Sequence, residues 1–214
     1  MVNFKRVMQK TGSYCGPAVF EMLVSQYGLE LDQERMVEAC GARNTVMKEG
    51  VPLVGLAKGL KSVYPELAVW QKSHSSLVDI KTLVDKDYLV GFDWQGVFTT
   101  DEYGDEIWNT KDRVGAWWKR EIKGEPVEKG DQGHYCIALE IDLEKGFLRF
   151  ADPYGHYAGK DRFVATWEFE ERWWDDRIDT DEAGKKMYVL ESRLMFLVAK
   201  KGDEFPGTLG MTRV

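Results

Sequence analysis

Through the first sixty or so residues the apolar positions recur at helical spacing. Ala18, Val19, Met22 and Leu23, with Gln26-Tyr27 closing the stripe, predict a first helix from about Gly16 to Tyr27. Pro17 suits its first turn, where a missing N–H does no harm, and Gly28 supplies the stop. A second helix fits Asp32 to Cys40, with Asp32 as N-cap and Gly41 as terminator. A third fits Val51 to Val63, with Pro52 early and Leu53, Leu56, Ala57 and Leu60 facing inward.

Strands follow. Leu67 to Gln71 is short and apolar, and Tyr88 to Phe92 reads as a buried strand; between them Ser76 to Asp85 reads as a helix with Leu77, Ile80, Leu83 and Val84 on one face. His134 to Ile141 and Phe147 to Ala151 form a hairpin pattern around Asp142-Leu143-Glu144-Lys145-Gly146. Phe163 to Phe169 and Met187 to Ala199 complete the strand set. Helices first and strands later give an α+β class. Two stretches exceed a minimal core. Gln95 to Gln132 is long and acidic and carries Trp108, Trp117 and Trp118, and Glu168 to Lys186 carries Trp173 and Trp174 followed by charges. Each reads either as a surface insertion pinned by aromatics or as a lid or substrate groove. The expected organisation is one domain over residues 1–200 with these two insertions and a loose tail over 201–214.

The length of 214 residues is compatible with that organisation. No apolar run approaches the ~18 residues of a membrane span, and no apolar segment behind Met1 to Arg6 marks a secretory signal. The net charge of −7 argues against a nucleic-acid backbone as the main partner. Three cysteines, Cys15, Cys40 and Cys136, are too few and odd in number for a disulfide framework, and they suit a reducing, cytoplasmic compartment. The histidines, His74, His134 and His156, form no HxxxH or HExxH pair, and no Cys-x-x-Cys occurs, so no zinc site is expected. No glycine-rich phosphate loop is present, and no nucleotide or other cofactor is expected.

The chemistry concentrates around Cys15. A Gly/Ser loop, Thr11-Gly12-Ser13-Tyr14, runs into this cysteine just where the first helix begins. A helix N-terminus offers unpaired N–H groups and a positive dipole end, and both favour the nucleophilic thiolate. Gln9, six residues upstream, is an amide donor in range of an oxyanion. His134 opens a strand after Gly133. If the hairpin turn centres near Glu144, His134 faces Tyr154 and Cys136 faces Asp152, so Asp152 lies diagonally across from His134. Asp152 could then fix the imidazole in one orientation and leave its other nitrogen for Cys15. Asp152-Pro153 can also be read as a simple strand-ending turn. His156 is the competing base but sits in a turn, Tyr154-Gly155-His156. His74 reads as part of an exposed helix lead-in, and Cys40 and Cys136 read as structural thiols.

Gln9 with Cys15-Gly16-Pro17-Ala18, then Tyr27-Gly28, Gly50-Val51-Pro52, Gly133-His134 and Asp152-Pro153, resembles the bacteriocin-processing peptidases of cysteine peptidase family 39, within the papain-like superfamily. The resemblance spans about Val7 to Gly155, with the motifs in the right order. It implies a papain-like fold with Cys15 as nucleophile, His134 as base, Asp152 as orienter and Gln9 as oxyanion donor, acting without metal or cofactor. The family's bacteriocin-processing members are usually fused to a membrane-spanning exporter and an ATPase, whereas this chain is expected to act alone, without a membrane span, on a peptide or protein. Tyr14 stands where many members carry Asp, so cleavage after Gly-Gly is not part of the expectation. Two rival readings share the residue set: a transglutaminase-like acyltransferase or deamidase, and an inactive peptide-binding module of the same fold. The sequence is silent on oligomeric state.

Overall fold

The computed structural model describes residues 2–97, 131–180 and 186–214. The first helix, α1 (Cys15–Ser25), begins at the cysteine itself with Tyr14 at its N-cap and no side-chain cap. Helix α2 (Gln33–Ala39) starts where predicted, with the Asp32 carboxylate accepting from the N–H groups of Glu34 and Arg35. A single turn, α3 (Val46–Glu49), was not predicted and precedes α4 (Leu53–Val63). After β1 (Leu67–Lys72) comes α5 (Leu77–Val84), opened by a reciprocal capping box between Ser76 and Asp79. The strands β2 (Val90–Val97), β3 (Asp131–Asp142), β4 (Phe147–Ala151) and β5 (Asp161–Ala165) follow, then α6 (Thr166–Arg172), β6 (Trp174–Thr180), β7 (Lys186–Ser192), β8 (Met195–Lys200), α7 (Phe205–Thr208) and β9 (Thr212–Arg213).

Seven strands form one antiparallel sheet in the order β5-β4-β3-β2-β8-β1-β9, and β6 and β7 pair as a separate two-stranded sheet. Helices cover both faces of the large sheet. On one face α1, α2 and α4 contribute Phe20, Leu23, Met36, Leu56 and Leu60 to a core with Ile137, Phe196 and Val198. On the other, α5 and α6 bury Ile80, Leu83 and Phe169 against Phe92, Trp94 and Phe150, with edge-on aromatic contacts such as Phe92–Phe169 at 5.0 Å between centroids. Strand alternation divides β3 between them: Tyr135 and Ile137 enter the first core, Cys136 and Ala138 the second. The α+β class and the antiparallel sheet carrying N-terminal helices are as the sequence predicts.

Three stretches differ from expectation. The pattern over Phe163 to Phe169 reads as a strand because Phe163, Ala165, Trp167 and Phe169 alternate. In the structure Phe163 and Trp167 are 63% and 60% exposed, while Phe169 and Trp173, one helical turn apart, are buried on one side of α6. Trp173 therefore belongs to the core, and its Nε1 donates to the Leu194 carbonyl at 2.8 Å. The expected strand from Met187 to Ala199 is broken at Arg193, whose φ of 53° interrupts the extended backbone between β7 and β8. Of the expected Gln95 to Gln132 insertion, residues 98–130, with Trp108, Trp117 and Trp118, lie outside the described residues, as do residues 181–185 of the second.

The C-terminus is the third difference. Residues 201–214, expected as a loose tail, dock onto the sheet: β9 pairs with β1 through Trp70↔Arg213 and Gln71↔Thr212, and the Arg213 guanidinium lies 4.7 Å from the Trp70 ring centroid. Met211 is 3% exposed in the second core. Met211→Ala should therefore destabilise the protein by about 2–5 kcal/mol, the range for truncating a buried large side chain. Urea unfolding measures it, and an unchanged midpoint would mean that the tail does not pack.

Candidate active site

The loop that presents Cys15 is held from several sides. The Gln9 N–H donates to the Pro153 carbonyl at 2.8 Å, tying the segment before the cysteine to the residue after Asp152. Gln33 braces the same segment, accepting from the Lys10 N–H and donating to the Met8 carbonyl, both at 2.9 Å. Lys5 pairs with the buried Glu21 at 2.9 Å. Gly16 then lets α1 approach the sheet: a Cβ there would stand 2.8 Å from Leu56 and 3.3 Å from the Tyr135 ring. Because no side chain caps α1, its first N–H groups remain available at Cys15 and Gly16.

His134 lies on β3 opposite Trp94 of β2 and is 2% exposed. Gly96, two residues along, has no side chain where a Cβ would come within 2.6 Å of His134. Asp152 follows directly on β4. Close to the turn, Asp142 pairs with Phe147 and Glu140 with Arg149; the ladder then shifts by one residue at a bulge between Ala138 and Glu140, so that Ile137 pairs with Ala151. Extending that register places Asp152 opposite Cys136, and His134 Nε2 donates to Asp152 Oδ1 at 2.8 Å. The His134 side chain also hydrogen-bonds Cys15 and Cys136, and Cys15 hydrogen-bonds the Tyr135 backbone. The structure thus brings Cys15, His134 and Asp152 together.

The charges of these groups support one another. Burial opposes a thiolate at Cys15, but the hydrogen bond and charge of His134, with backbone hydrogen bonds from Tyr135 and Gly16, outweigh it and hold the thiol below its ordinary range. Burial likewise works against an imidazolium at His134, yet the Cys136 sulfur and the Asp152 carboxylate hold it well above the usual histidine value. Asp152 is buried and still titrates below the ordinary carboxylate range, because His134, Arg162 and the Tyr154 N–H all stabilise its charge. The Tyr154 N–H donates to Asp152 Oδ1 at 2.7 Å. Arg162 Nη1 donates to Asp152 Oδ2.

Arg162 is the site residue that the sequence reading missed. It is 7% exposed and opposes Phe150 across the β4–β5 ladder, and its guanidinium lies 4.0 Å from the Tyr157 ring centroid and 5.0 Å from that of Phe150. The signal was the strand Asp161–Ala165, where Arg162 and Val164 point inward and Phe163 outward, but only the β4–β5 register joins Arg162 to Asp152. Gln9 is 6% exposed, with Nε2 donating to the carbonyls of Thr11 at 2.7 Å and Gly12 at 3.1 Å. Its amide thus rigidifies the Cys15 loop in this resting geometry.

The remaining candidates stand apart. His74 is exposed on a turn with φ of 53°. His156 lies in a 3-10 turn, Gly155–Tyr157, and its side chain falls outside the described part of the molecule. Burial pushes the Cys40 and Cys136 thiols each up to about 11. Donor atoms of His134, Cys136 and Asp152 lie within 4.8 Å of one another, a spacing that a metal ion could bridge. The Arg162 guanidinium already sits on the same carboxylate, so a cation there would meet an existing positive charge.

Cys15 should therefore be alkylated faster than Cys40 or Cys136 at neutral pH, and its reactivity should persist below the ordinary thiol range. Removing the guanidinium with Arg162→Met raises the Asp152 pKa, so the acidic limb of the Cys15 rate should move to higher pH, with Arg162→Lys in between. Iodoacetamide labelling followed by peptide mapping across pH measures both. Faster labelling of Cys40 or Cys136 in the folded protein, or an acidic limb indifferent to Arg162, would contradict the arrangement.

No family model matches the chain, and no curated protein matches it by sequence. Solved structures do match in fold. The peptidase domain of Streptococcus ComA, a bifunctional ABC transporter involved in quorum sensing, aligns with a TM-score of 0.53 at 14% identity over 93% of this chain and 100% of that domain. A candidate C39-like peptidase from Bacillus anthracis aligns at 0.52 and 13% identity, covering 95% of this chain and 98% of its own. A double-glycine-motif protease from an AMS/PCAT transporter, solved with its leader peptide, aligns at 0.50 and 11% identity over 94% of each chain. The fold of this chain is that of the C39, papain-like cysteine peptidase domains.

Proposed function

We propose that this chain hydrolyses a peptide or amide bond with Cys15 as nucleophile. The observation that carries the reading is the convergence of a helix-terminal Cys15, His134 and the buried Asp152, each holding the charge state that its neighbour needs. The structural likeness to C39 peptidase domains supports the same reaction class. A leader peptide bound to one of those domains supports a peptide substrate here. No helix among the described residues is long and apolar enough to cross a membrane.

In the resting state the proton resides on His134 and the negative charge on Cys15. The thiolate attacks the scissile carbonyl carbon, and the carbonyl oxygen takes the charge. The N–H groups at the uncapped start of α1 stabilise that oxyanion, joined by Gln9 once its amide turns from the Thr11 and Gly12 carbonyls. The imidazolium gives its proton to the leaving amine as the C–N bond breaks, leaving a thioester and a neutral imidazole. His134 then takes a proton from water, which attacks the thioester; collapse releases the acid and restores the thiolate. Asp152 stays ionised throughout and fixes the ring, while Arg162 acts through Asp152 as a positioning residue.

Turnover can be followed by mass spectrometry on a peptide library and then on the best product-yielding peptide. Cys15→Ala and His134→Ala should nearly abolish cleavage, whereas Asp152→Asn keeps a partner of similar shape and retains part of it. The His134→Ala, Asp152→Asn double variant should be scarcely worse than His134→Ala alone, because groups acting as a unit are non-additive. Gln9→Ala should lower kcat on the order of 10²–10³-fold, and His156→Ala should have little effect. Adding an amine nucleophile separates the transferase reading, which predicts its incorporation into product in preference to water. Simple additivity at His134 and Asp152, or loss of activity with His156→Ala, would overturn the assignment.

A further inference from the structure

The face of the sheet on the Cys15 side carries carboxyl groups for which the mechanism above has no use. Asp93 opposes Tyr135 in the β2–β3 ladder, and the Tyr135 ring lies against Gly16, the residue after the nucleophile. Alternation therefore puts Asp93 on the same face as α1, one residue from the Trp94 that opposes His134. Next along this face come Gln95 and Gly133, also a ladder pair. Asp175 of β6 closes over them: Gln95 Nε2 donates to its Oδ1 at 2.8 Å, and its carboxylate occupies the space that a Gly133 side chain would fill. Glu191 opposes Asp175 across the β6–β7 ladder, on the same side of that hairpin.

Asp93 is 4% exposed, and its Oδ1 accepts no hydrogen bond from any described residue. An ionisable acceptor in this state is costly in a folded protein and calls for a partner. Burial, with the charges of Asp175, Cys15 and Glu191, drives the Asp93 carboxyl well above its usual range.

The geometry points to a subsite for a positively charged group of the substrate, a primary amine or guanidinium next to the scissile bond, formed by Asp93 with Asp175 and Glu191 beside Cys15. This assignment rests on the peptidase reading for its place in catalysis. A cation bound there would satisfy the unpartnered Asp93 oxygen. It would also offset the repulsion between these carboxylates and the oxyanion that forms at the substrate carbonyl. A chain terminus or a lysine or arginine side chain has the required chemistry.

The test does not need turnover. Cys15 reacts with methanethiosulfonates, in which the thiolate displaces sulfinate and forms a mixed disulfide, so a cationic trimethylammonium-ethyl reagent can be compared with an anionic sulfonatoethyl one. The wild type should prefer the cationic reagent. Asp93→Asn, Asp175→Asn or Glu191→Gln should each lower that ratio, on the order of 3- to 10-fold for a charge at close range, while the exposed Glu66→Gln control leaves it unchanged. Circular dichroism and melting of each variant separate misfolding from loss of charge, and Glu191→Gln, on the hairpin rather than in the core, keeps the test open if Asp93→Asn does not fold. A ratio equal to that of a free thiol, or one that these substitutions leave where the Glu66→Gln control does, overturns the subsite. A charge-selective Cys15 in a protein that cleaves no peptide would keep the subsite and overturn the peptidase reading, whereas cleavage with no charge selectivity would do the reverse.

Discussion

The buried negative charge of Asp152 is the constraint on which the rest of the site depends. A carboxylate removed from water is costly unless it is paired and hydrogen-bonded. Here three donors meet it: the Arg162 guanidinium, the Tyr154 N–H and His134 Nε2. The aromatic rings of Tyr157 and Phe150 flank the Arg162 guanidinium and help keep that cation in place. With Oδ2 held by Arg162, Oδ1 is aimed at the imidazole, whose ring in turn hydrogen-bonds Cys15. The geometry at the sulfur is thus set two residues away, by an ion pair on the opposite side of the histidine.

Secondary structure supplies the other half. Asp152 and His134 meet because β4 pairs with β3, whereas Cys15 belongs to a helix that packs on β3 at Gly16 and Tyr135 and needs a further link to the Asp152 end of β4. The N-terminal segment provides that link through the Gln9 N–H and the Pro153 carbonyl, one residue beyond Asp152. The contrast among helix starts is instructive. Asp32 and the Ser76–Asp79 box cap α2 and α5, while α1, like α3, α4, α6 and α7, has no side-chain cap, and α1 is the one that starts at a cysteine. A cap there would consume the N–H groups that a thiolate or an oxyanion needs.

Much of this could be read from residues alone, for identifiable reasons. The Gly/Ser loop, Cys15 and the apolar stripe behind it are local signals, and the helix forms where they place it. Bringing His134 beside Asp152 required a register, and a uniform hairpin was assumed. The real ladder is offset by one residue near the turn and regains the assumed register only after the bulge at Leu139. Without the bulge, Cys136 would face Pro153 and Asp152 would be displaced from the histidine. Arg162, Asp93 and Asp175 were not legible because their meaning lies in pairings between strands distant in sequence. The helix Thr166–Arg172 was missed because Phe163, Ala165, Trp167 and Phe169 fall at every second position and so imitate a strand.

In the proposed mechanism the Asp152 charge keeps His134 protonated beside a Cys15 thiolate. Nitrogen-15 NMR of the imidazole rings reads this directly, and with three histidines in the chain the His134 signals can be assigned by substitution. At neutral pH both ring nitrogens of His134 should carry protons, and in Asp152→Asn the ring should lose one at a markedly lower pH. A His134 that is already a neutral tautomer at neutral pH, with a titration unaffected by Asp152→Asn, would contradict the account.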